Sequence, residues 1–170
     1  MPVEKAIGIA EMTEAELEEI LAIETVSFPS PWTKSMFMEE LLSPISQNIV
    51  ARLRGEIAGY IDFWIVRDEV HLLHLAVRPD LRRRGIAKLM MGEMIRRAHG
   101  RGAFAATLEV RRSNRGAICF YERLGFEVRG IRPHYYADTG EDALIMWAYT
   151  ETKDALYAGS SLTPVREDRP

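Results

Sequence analysis

Three arginines, a glycine and two apolar residues form the stretch of the sequence best suited to bind an anion: Arg82, Arg83, Arg84, Gly85, Ile86 and Ala87. A β-favouring run precedes this stretch, Pro79 and Asp80 interrupt the run, and an apolar stripe at helical spacing follows. The first turn of a helix leaves backbone N–H groups unpaired and carries the positive end of the helix dipole. Gly85 lets a ligand approach the backbone, and arginines donate charge-assisted hydrogen bonds to phosphate oxygens. The stretch predicts a phosphate-binding loop, although an exposed basic helix start has the same composition.

Glu109 and Tyr121 are the candidates for acid–base chemistry. Glu109 lies between two apolar residues near the end of a predicted strand, so its carboxylate points to the opposite face from theirs. In a cleft this carboxylate would serve as a general base, whereas an ion pair with Arg111 or Arg112 would make it structural. Tyr121 stands on the apolar stripe of the next predicted helix. Its phenol could protonate a departing thiolate, or its ring could simply belong to the core.

The cysteine and the histidines do not suggest further chemistry. Cys119 has no histidine or carboxylate placed to activate it within its helix, and cysteines are commonly buried, so we expect a structural role. The four histidines, His71, His74, His99 and His134, are scattered and lack partners at metal-ligand spacing. The sequence therefore predicts no metal site.

The segment Phe28-Pro29-Ser30-Pro31-Trp32 places two large aromatic side chains on a loop that two prolines stiffen. Such a loop is either a packing corner of the core or a rigid lip of a binding site. Taken alone, the sequence favours the packing corner.

Length and composition bound the class of protein. The chain has 170 residues, of which 47% are apolar and 28% charged, which suits one globular domain and excludes a disordered chain. The net charge of −3 argues against a general nucleic-acid binder. The apolar runs are too short for a membrane span. With one cysteine and no leader-like start, the sequence predicts a cytoplasmic protein.

The pattern of elements predicts an α/β protein. Predicted strands cover residues 6–10, 48–53, 57–66, 69–77, 104–110, 126–131 and 143–149; predicted helices cover 13–26, 33–42, a segment beginning at 85, and 114–124. The crossover helix after the fourth strand implies parallel pairing with the fifth. We expect a central mixed, mostly antiparallel sheet of six to seven strands with about four helices. We predict one domain over residues 1–150 and a mobile tail over 151–170.

Together these motifs resemble those of the Gcn5-related N-acetyltransferases. The cofactor motif of that superfamily, Q/R-x-x-G-x-G/A, is matched by Arg82, Gly85 and Ala87. Within the superfamily the likeness is to the bacterial ribosomal-protein-alanine N-acetyltransferases. This narrower resemblance rests on 28–32, Leu108-Glu109-Val110-Arg111 with Ser113-Asn114, Phe120-Tyr121-Glu122 with Leu124-Gly125-Phe126, Tyr135-Tyr136, and 141–146. It extends over residues 9–148 and implies the acyl-CoA N-acyltransferase fold.

The resemblance implies a role for each candidate residue. Glu109 would be the general base and Tyr121 the general acid, with acetyl-coenzyme A as cosubstrate and no metal. The backbone of 75–77 would hold the pantetheine arm and thioester, and 83–88 the pyrophosphate. The implied cofactor residues are Leu75, Ala76, Val77, Arg82, Arg83, Arg84, Gly85, Ile86, Ala87, Lys88 and Asn114.

The implied acceptor is the N-terminal alanine of a small-subunit ribosomal protein, attacking the thioester directly. An α-amine titrates roughly 2–3 units below a lysine side chain, so its neutral form is easier to reach at pH 7. We expect Phe28, Trp32, Tyr135 and Tyr136 to wall the peptide groove. The pair Glu141-Asp142 would either attract a cationic amino terminus or close the last strand.

Other acceptors and other classes stay open at this point. The fold alone does not settle the acceptor, so a protein lysine or a small-molecule amine is an alternative, as is an acetyl-CoA-binding module without catalysis. We expect a monomer or weak dimer with no membrane partner and no direct nucleic-acid partner.

Overall fold

The computed structural model describes residues 7–149, and the tail predicted at 151–170 lies outside them. The strands are β1 (Ile7–Glu11), β2 (Ser46–Leu53), β3 (Glu56–Val66), β4 (Glu69–Val77), β5 (Ala105–Arg111), β6 (Glu127–Tyr136) and β7 (Glu141–Tyr149). The α-helices of the described residues are α1 (Leu17–Ser27), α2 (Lys34–Leu42), α3 (Ile86–Gly100) and α4 (Arg115–Arg123). Short 3₁₀ turns occupy Glu14–Glu16 and Pro79–Leu81.

The seven strands are hydrogen-bonded in the order β1-β2-β3-β4-β5-β7-β6. Strand β4 pairs with β5 in parallel, as the crossover through α3 requires, and the register runs from Glu69↔Ala105 to Leu72↔Leu108. The pairs β1–β2, β2–β3, β5–β7 and β6–β7 are antiparallel. The predicted α/β class, with a mixed, mostly antiparallel sheet and four helices, is confirmed.

Strand β6 is longer than predicted, since it continues past residue 131 to Tyr136. Its register against β7 shifts between Arg132 and Tyr136, and His134 in this irregular stretch has a left-handed φ of 53°. Pro133 is tolerated because β6 ends the strand order, where a missing N–H interrupts no second ladder. Tyr135 and Tyr136 therefore lie on β6, beyond the predicted end of this strand at residue 131.

Within the described residues the chain forms two compact units, and the first comprises 7–64 and Leu73–Met94. In this unit α1 and α2 pack on the strands through a shared core that includes Leu17, Ile20, Phe37, Val50 and Tyr60. Strand β3 is buried along nearly its whole length, which is the pattern of a strand covered on both faces.

One charged residue of α1 lies in the core. Glu24 belongs to the predicted helix 13–26, and carboxylates are mostly exposed, yet its side chain is fully buried. The burial has a physical cause, because hydrogen-bond donors from the loop after α1, from β3 and from β4 converge on this carboxylate.

The second unit comprises Ile65–Leu72 and 95–149. It contains β5, β7, β6 and α4, and β5 pairs with β7 from Ala105↔Tyr149 to Arg111↔Ala143. Asn114 caps α4 by accepting a hydrogen bond from the Ala117 N–H. Among residues 7–149, no helix combines the length and apolarity that crossing a membrane requires.

Candidate active site

The loop between β4 and α3 has the backbone shape of an anion site. Arg83 and Gly85 have left-handed φ values of 61° and 83°, and residues 82–85 are exposed. When right-handed and left-handed backbone conformations alternate, successive N–H groups point to the same side of the loop. They then line a concave site that binds anions. Left-handed backbone at Gly85 explains the need for glycine there.

Helix α3 begins directly after this loop, with its first N–H groups available. The first bond of the helix runs from the Leu89 N–H to the Gly85 carbonyl at 3.0 Å. The N–H groups of Ile86 and Ala87 precede that bond and therefore have no acceptor within the helix. The predicted helix start at the glycine is confirmed, and it supplies donors and a positive dipole end for a phosphate.

The arginines of the loop are not equivalent. The Arg82 guanidinium donates to the Val77 carbonyl at 3.0 Å and to the Ser27 hydroxyl at 3.1 Å, so it braces the end of β4 against the end of α1. Arg83 and Arg84 are exposed. Arg83 and Arg84 are therefore better placed than Arg82 to offer guanidinium groups to a ligand.

The carboxyl-terminal half of β4 carries backbone groups that the parallel ladder does not use. That ladder ends at Leu72, and residues 73–77 continue beyond it. The predicted thioester-binding residues Leu75, Ala76 and Val77 lie in this continuation. Unused N–H and C=O groups on a strand edge can pair with an extended ligand.

The aromatic loop after α1 is both packed and linked to β4. The rings of Phe28 and Trp32 are partly buried against the core of the first unit. Both also contact His74 on β4, with ring centroids 4.6 Å away for Phe28 and 4.0 Å away for Trp32. The structure thus shows the packing corner that the sequence favours, and it adds His74 to this group.

In the second unit, Glu109 on β5 is partly exposed and accepts a hydrogen bond from the Arg132 guanidinium at 3.2 Å. The partner is therefore neither Arg111 nor Arg112, the two arginines considered in the structural alternative. Arg132 lies on β6, 23 positions away in the chain, and no local pattern could identify it. An ion pair this exposed contributes little to stability and leaves the carboxylate accessible.

Tyr121 on α4 has a buried ring, with Phe126 at 5.8 Å between ring centroids and Phe120 at 5.3 Å. Burial raises the pKa of Tyr121 well above its usual range, and the nearby Tyr136 adds to the rise. The phenol consequently stays protonated at neutral pH, which a general acid requires.

Tyr136 is the electrostatic neighbour that Glu109 and Tyr121 have in common. The Arg111 guanidinium stacks over its ring at 3.9 Å. Burial raises the pKa of Tyr136 to about 12, with Arg111 acting in the opposite direction. Tyr135 is half exposed and meets Tyr136 edge to face at 5.1 Å. The structure therefore brings Glu109, Tyr121 and the two β6 tyrosines into one unit.

Glu141 and Asp142 are already engaged by neighbouring groups. Glu141 accepts a 2.6 Å bond from the Ser113 N–H, and Asp142 accepts a 3.0 Å bond from the His134 N–H. Hydrogen bonding to Ser113, first through its side chain and then through this N–H, lowers the pKa of Glu141, and the His134 N–H lowers the pKa of Asp142. Of the two roles expected for this pair, the contacts fit closing the last strand.

Two further expectations can be compared with the structure. Cys119 was expected to be buried, but its side chain is exposed on α4, outside the apolar stripe. The Oδ1 atom of Asn114 is used by the helix cap, so its amide N–H₂ is the part left for a cofactor. Sequence reasoning missed the contacts made by Arg132, Arg111, His74, Glu24 and Tyr60, which join residues distant in sequence.

A mixed seven-stranded sheet, with a helix that starts soon after a central strand, is the architecture of the acyl-CoA N-acyltransferases. Residues 17–126 match the acetyltransferase (GNAT) family, and the chain belongs to this family. Its members use acetyl-coenzyme A as cosubstrate, so the enzyme is an N-acetyltransferase.

Two proteins and one crystal structure are similar to this chain over most of its length. A Bacillus subtilis protein named as a provisional ribosomal protein bS18-alanine N-acetyltransferase is 36% identical over 141 residues, covering 82% of this chain and 93% of the relative. The ribosomal protein bS18-alanine N-acetyltransferase of Escherichia coli K12 is 33% identical over 145 residues, covering 81% of this chain and 94% of the relative. The crystal structure of the Escherichia coli ribosomal-protein-S18-alanine enzyme aligns with a TM-score of 0.77 at 28% identity, covering 96% of this chain and 99% of that one.

Proposed function

We propose that this enzyme acetylates the α-amino group of an N-terminal alanine, and that its substrate is a small-subunit ribosomal protein. The observation that carries the proposal is the start of α3, where N–H groups without a helical acceptor follow a left-handed glycine, in a chain that aligns along most of its length with enzymes of that name. Ribosomal proteins and acetyl-coenzyme A share the cytoplasm, so we assign the reaction to that compartment.

In the proposed reaction the neutral α-amine attacks the thioester carbonyl carbon of acetyl-coenzyme A. The C–N bond forms, the tetrahedral intermediate collapses, the C–S bond breaks, and no covalent enzyme intermediate is needed. Backbone groups of Leu75, Ala76 and Val77 hold the pantetheine arm and thioester. The 83–88 segment holds the pyrophosphate, and Asn114 contributes its amide donors.

We assign proton transfer to Glu109 and Tyr121. Glu109 takes the proton of the attacking amine through water, and its contact with Arg132 keeps the carboxylate oriented. Tyr121 gives its proton to the departing thiolate; its raised pKa keeps that proton available at physiological pH. We assign Phe28, Trp32, Tyr135 and Tyr136 to the peptide groove.

The acceptor chemistry agrees with a single carboxylate base. An α-amine has a pKa near 8, against about 10.4 for a lysine side chain. Reaching the neutral amine at pH 7 therefore costs about 3 kcal/mol less for the α-amine. A carboxylate acting through water is sufficient for the easier deprotonation.

The test is a coenzyme A release assay with alanine-led peptides, the same peptides with blocked amino termini, and free lysine. We expect turnover only with the free alanine terminus. Glu109→Gln should abolish it or shift it to higher pH. Glu127→Gln is the matched control, since Glu127 is a partly exposed β6 carboxylate paired with Arg129 at 3.0 Å.

Other results of this assay would refute different parts of the proposal. Turnover of lysine or of small amines, without turnover of the alanine terminus, would refute the proposed substrate while leaving the family intact. Turnover unaffected by Glu109→Gln would refute the assignment of the base. Binding of acetyl-coenzyme A with no acceptor turned over would point to a binding module.

A further inference from the structure

A fully buried carboxylate in the first unit, that of Glu24 on α1, is shared by donors from three other segments. Its Oε1 accepts a 2.7 Å bond from the backbone N–H of Trp32. Its Oε2 accepts from the Tyr60 hydroxyl on β3 and lies 3.3 Å from Nδ1 of His74 on β4. Burial, reinforced by Glu24, raises the pKa of Tyr60, so the phenol stays protonated and donates. Such pairing is what allows a carboxylate to be buried, and it fixes the aromatic loop against β3 and β4.

The same carboxylate determines how the His74 ring is presented. An ionised carboxylate only accepts hydrogen bonds, so in the neutral ring Nδ1 carries the hydrogen and Nε2 keeps its lone pair. The ring stacks on Trp32 with an interplanar angle of 29° and also contacts Phe28. Within residues 7–149 the His74 ring makes no second hydrogen bond, and 15% of its side chain is exposed. Nε2 is therefore an oriented acceptor on a side chain that keeps some access to solvent.

The position of His74 connects two parts of the assigned site. It immediately precedes the β4 residues Leu75, Ala76 and Val77, which we assign to the thioester, and it contacts the aromatic loop, which we assign to the peptide. Successive strand residues are about 3.3 Å apart, and an attacking amine must come within about 3–3.5 Å of the carbonyl carbon. An amine bound for attack on that thioester therefore comes within reach of the imidazole.

We propose that His74 is an acceptor-binding residue whose Nε2 accepts a hydrogen bond from the amino-terminal N–H of the incoming peptide, and that Glu24 is the positioning residue that holds the ring for this contact. The inference rests on the proposed function, since it takes a peptide amino terminus as acceptor. A neutral amine donates through N–H while its lone pair stays free to attack. A neutral imidazole also orients the amine without the full negative charge that would favour its ammonium form.

The experiment compares three full-length variants with wild type. His74→Phe keeps an aromatic ring in the stack but removes both nitrogens, and His74→Gln restores a carbonyl acceptor near the Nε2 position. His71→Phe is the matched control, because His71 is a partly exposed histidine on the same strand, 3.0 Å from Glu69. The measurements are kcat/KM for an alanine-led peptide, the Kd for acetyl-coenzyme A, and ¹⁵N spectra of the imidazole rings.

We expect kcat/KM for the peptide to fall about 10- to 100-fold in His74→Phe, the loss of one hydrogen bond in the site. The Kd for acetyl-coenzyme A should stay within about twofold, since Nε2 makes no contact with the cofactor in this proposal. His74→Gln should recover part of the loss, and His71→Phe should match wild type. The His74 Nε2 resonance, identified by its disappearance in His74→Phe, should move when peptide is added to the coenzyme A complex.

Three results would overturn the inference in different ways. A His74→Phe enzyme with peptide kcat/KM within twofold of wild type would refute it and leave the proposed function standing. Parallel loss of acetyl-coenzyme A affinity and thermal stability would show that His74 is only structural. A wild-type enzyme that never acetylates amino-terminal peptides would refute both proposals, a result visible without any variant.

Discussion

Replacing Asp62 by asparagine should make the protein more stable at neutral pH, by an amount that grows with pH. Asp62 on β3 is fully buried; its Oδ1 accepts a 2.8 Å bond from the Asn48 amide, and its Oδ2 has no partner among the described residues. Burial raises the pKa of Asp62 from 3.8 to about 8, with the Asn48 hydrogen bond opposing the rise and the charges of Glu40 and Glu24 adding to it. The folded protein therefore holds this carboxyl in its protonated form.

The free energy of unfolding changes with pH because the folded and unfolded states hold the Asp62 proton over different pH ranges. Below about pH 4 both the folded and unfolded states hold the proton, and the stability from the raised pKa is fully present. As pH rises toward 8 the unfolded state releases the proton while the folded state keeps it. The free energy of unfolding then falls by up to about 1.4 kcal/mol per pH unit, or about 5 kcal/mol across the window. Asparagine has nearly the same shape and does not titrate, so it removes this loss.

The assay is urea unfolding of wild type and Asp62→Asn between pH 5 and 8. The difference in unfolding free energy, variant minus wild type, should rise steadily with pH. Glu39→Gln is the control, because it removes a carboxylate that is exposed on α2 rather than buried. Its difference in unfolding free energy should not change with pH. A flat curve for Asp62→Asn as well would mean that Asp62 is ionised in the folded protein, and the argument from its burial would be refuted.

Four further outcomes are expected. Glu109→Gln should lower kcat about 100-fold or more without changing the Kd for acetyl-coenzyme A, as measured by coenzyme A release and calorimetry; an unchanged kcat would exclude Glu109 as the base. Tyr121→Phe should lower kcat to a similar degree while the melting temperature stays close to wild type, because the buried ring is retained. Gly85→Ala puts a side chain at a φ of 83°, so the KM for acetyl-coenzyme A should rise about tenfold, whereas Gly92→Ala, in open space on the helix that follows, should leave it unchanged. Trp32→Ala should raise the peptide KM about tenfold more than that of acetyl-coenzyme A; an effect confined to the cofactor would contradict its place in the groove.

Features that depend on near neighbours in sequence were predictable. The capping box at Thr13 and Glu16 is present, with the Thr13 N–H donating to the Glu16 carboxylate at 2.6 Å. The caps at Thr33 and Asn114 are also formed. Each involves residues three positions apart, so the local sequence contains both partners. The glycine at residue 85 likewise indicates its own left-handed backbone.

Features that depend on distant contacts were not predictable. Glu24 follows a helical polar pattern, and only the arrival of Tyr60 and His74, 36 and 50 positions later, explains its burial. The ion pair of Glu109 with Arg132 joins two strands that β7 separates in the strand order. Long-range pairs such as these are set by strand order and register, which hydrophobic periodicity does not encode.

The left-handed backbone of Arg83 has a consequence for protein engineering. A non-glycine residue at a φ of 61° is strained by about 1–2 kcal/mol, so a screen for thermal stability should favour Arg83→Gly. The same replacement removes an exposed guanidinium from the loop assigned to the pyrophosphate. Stabilised variants selected without a cofactor assay should therefore lose affinity for acetyl-coenzyme A, a conflict between thermal robustness and catalytic fitness located at one residue.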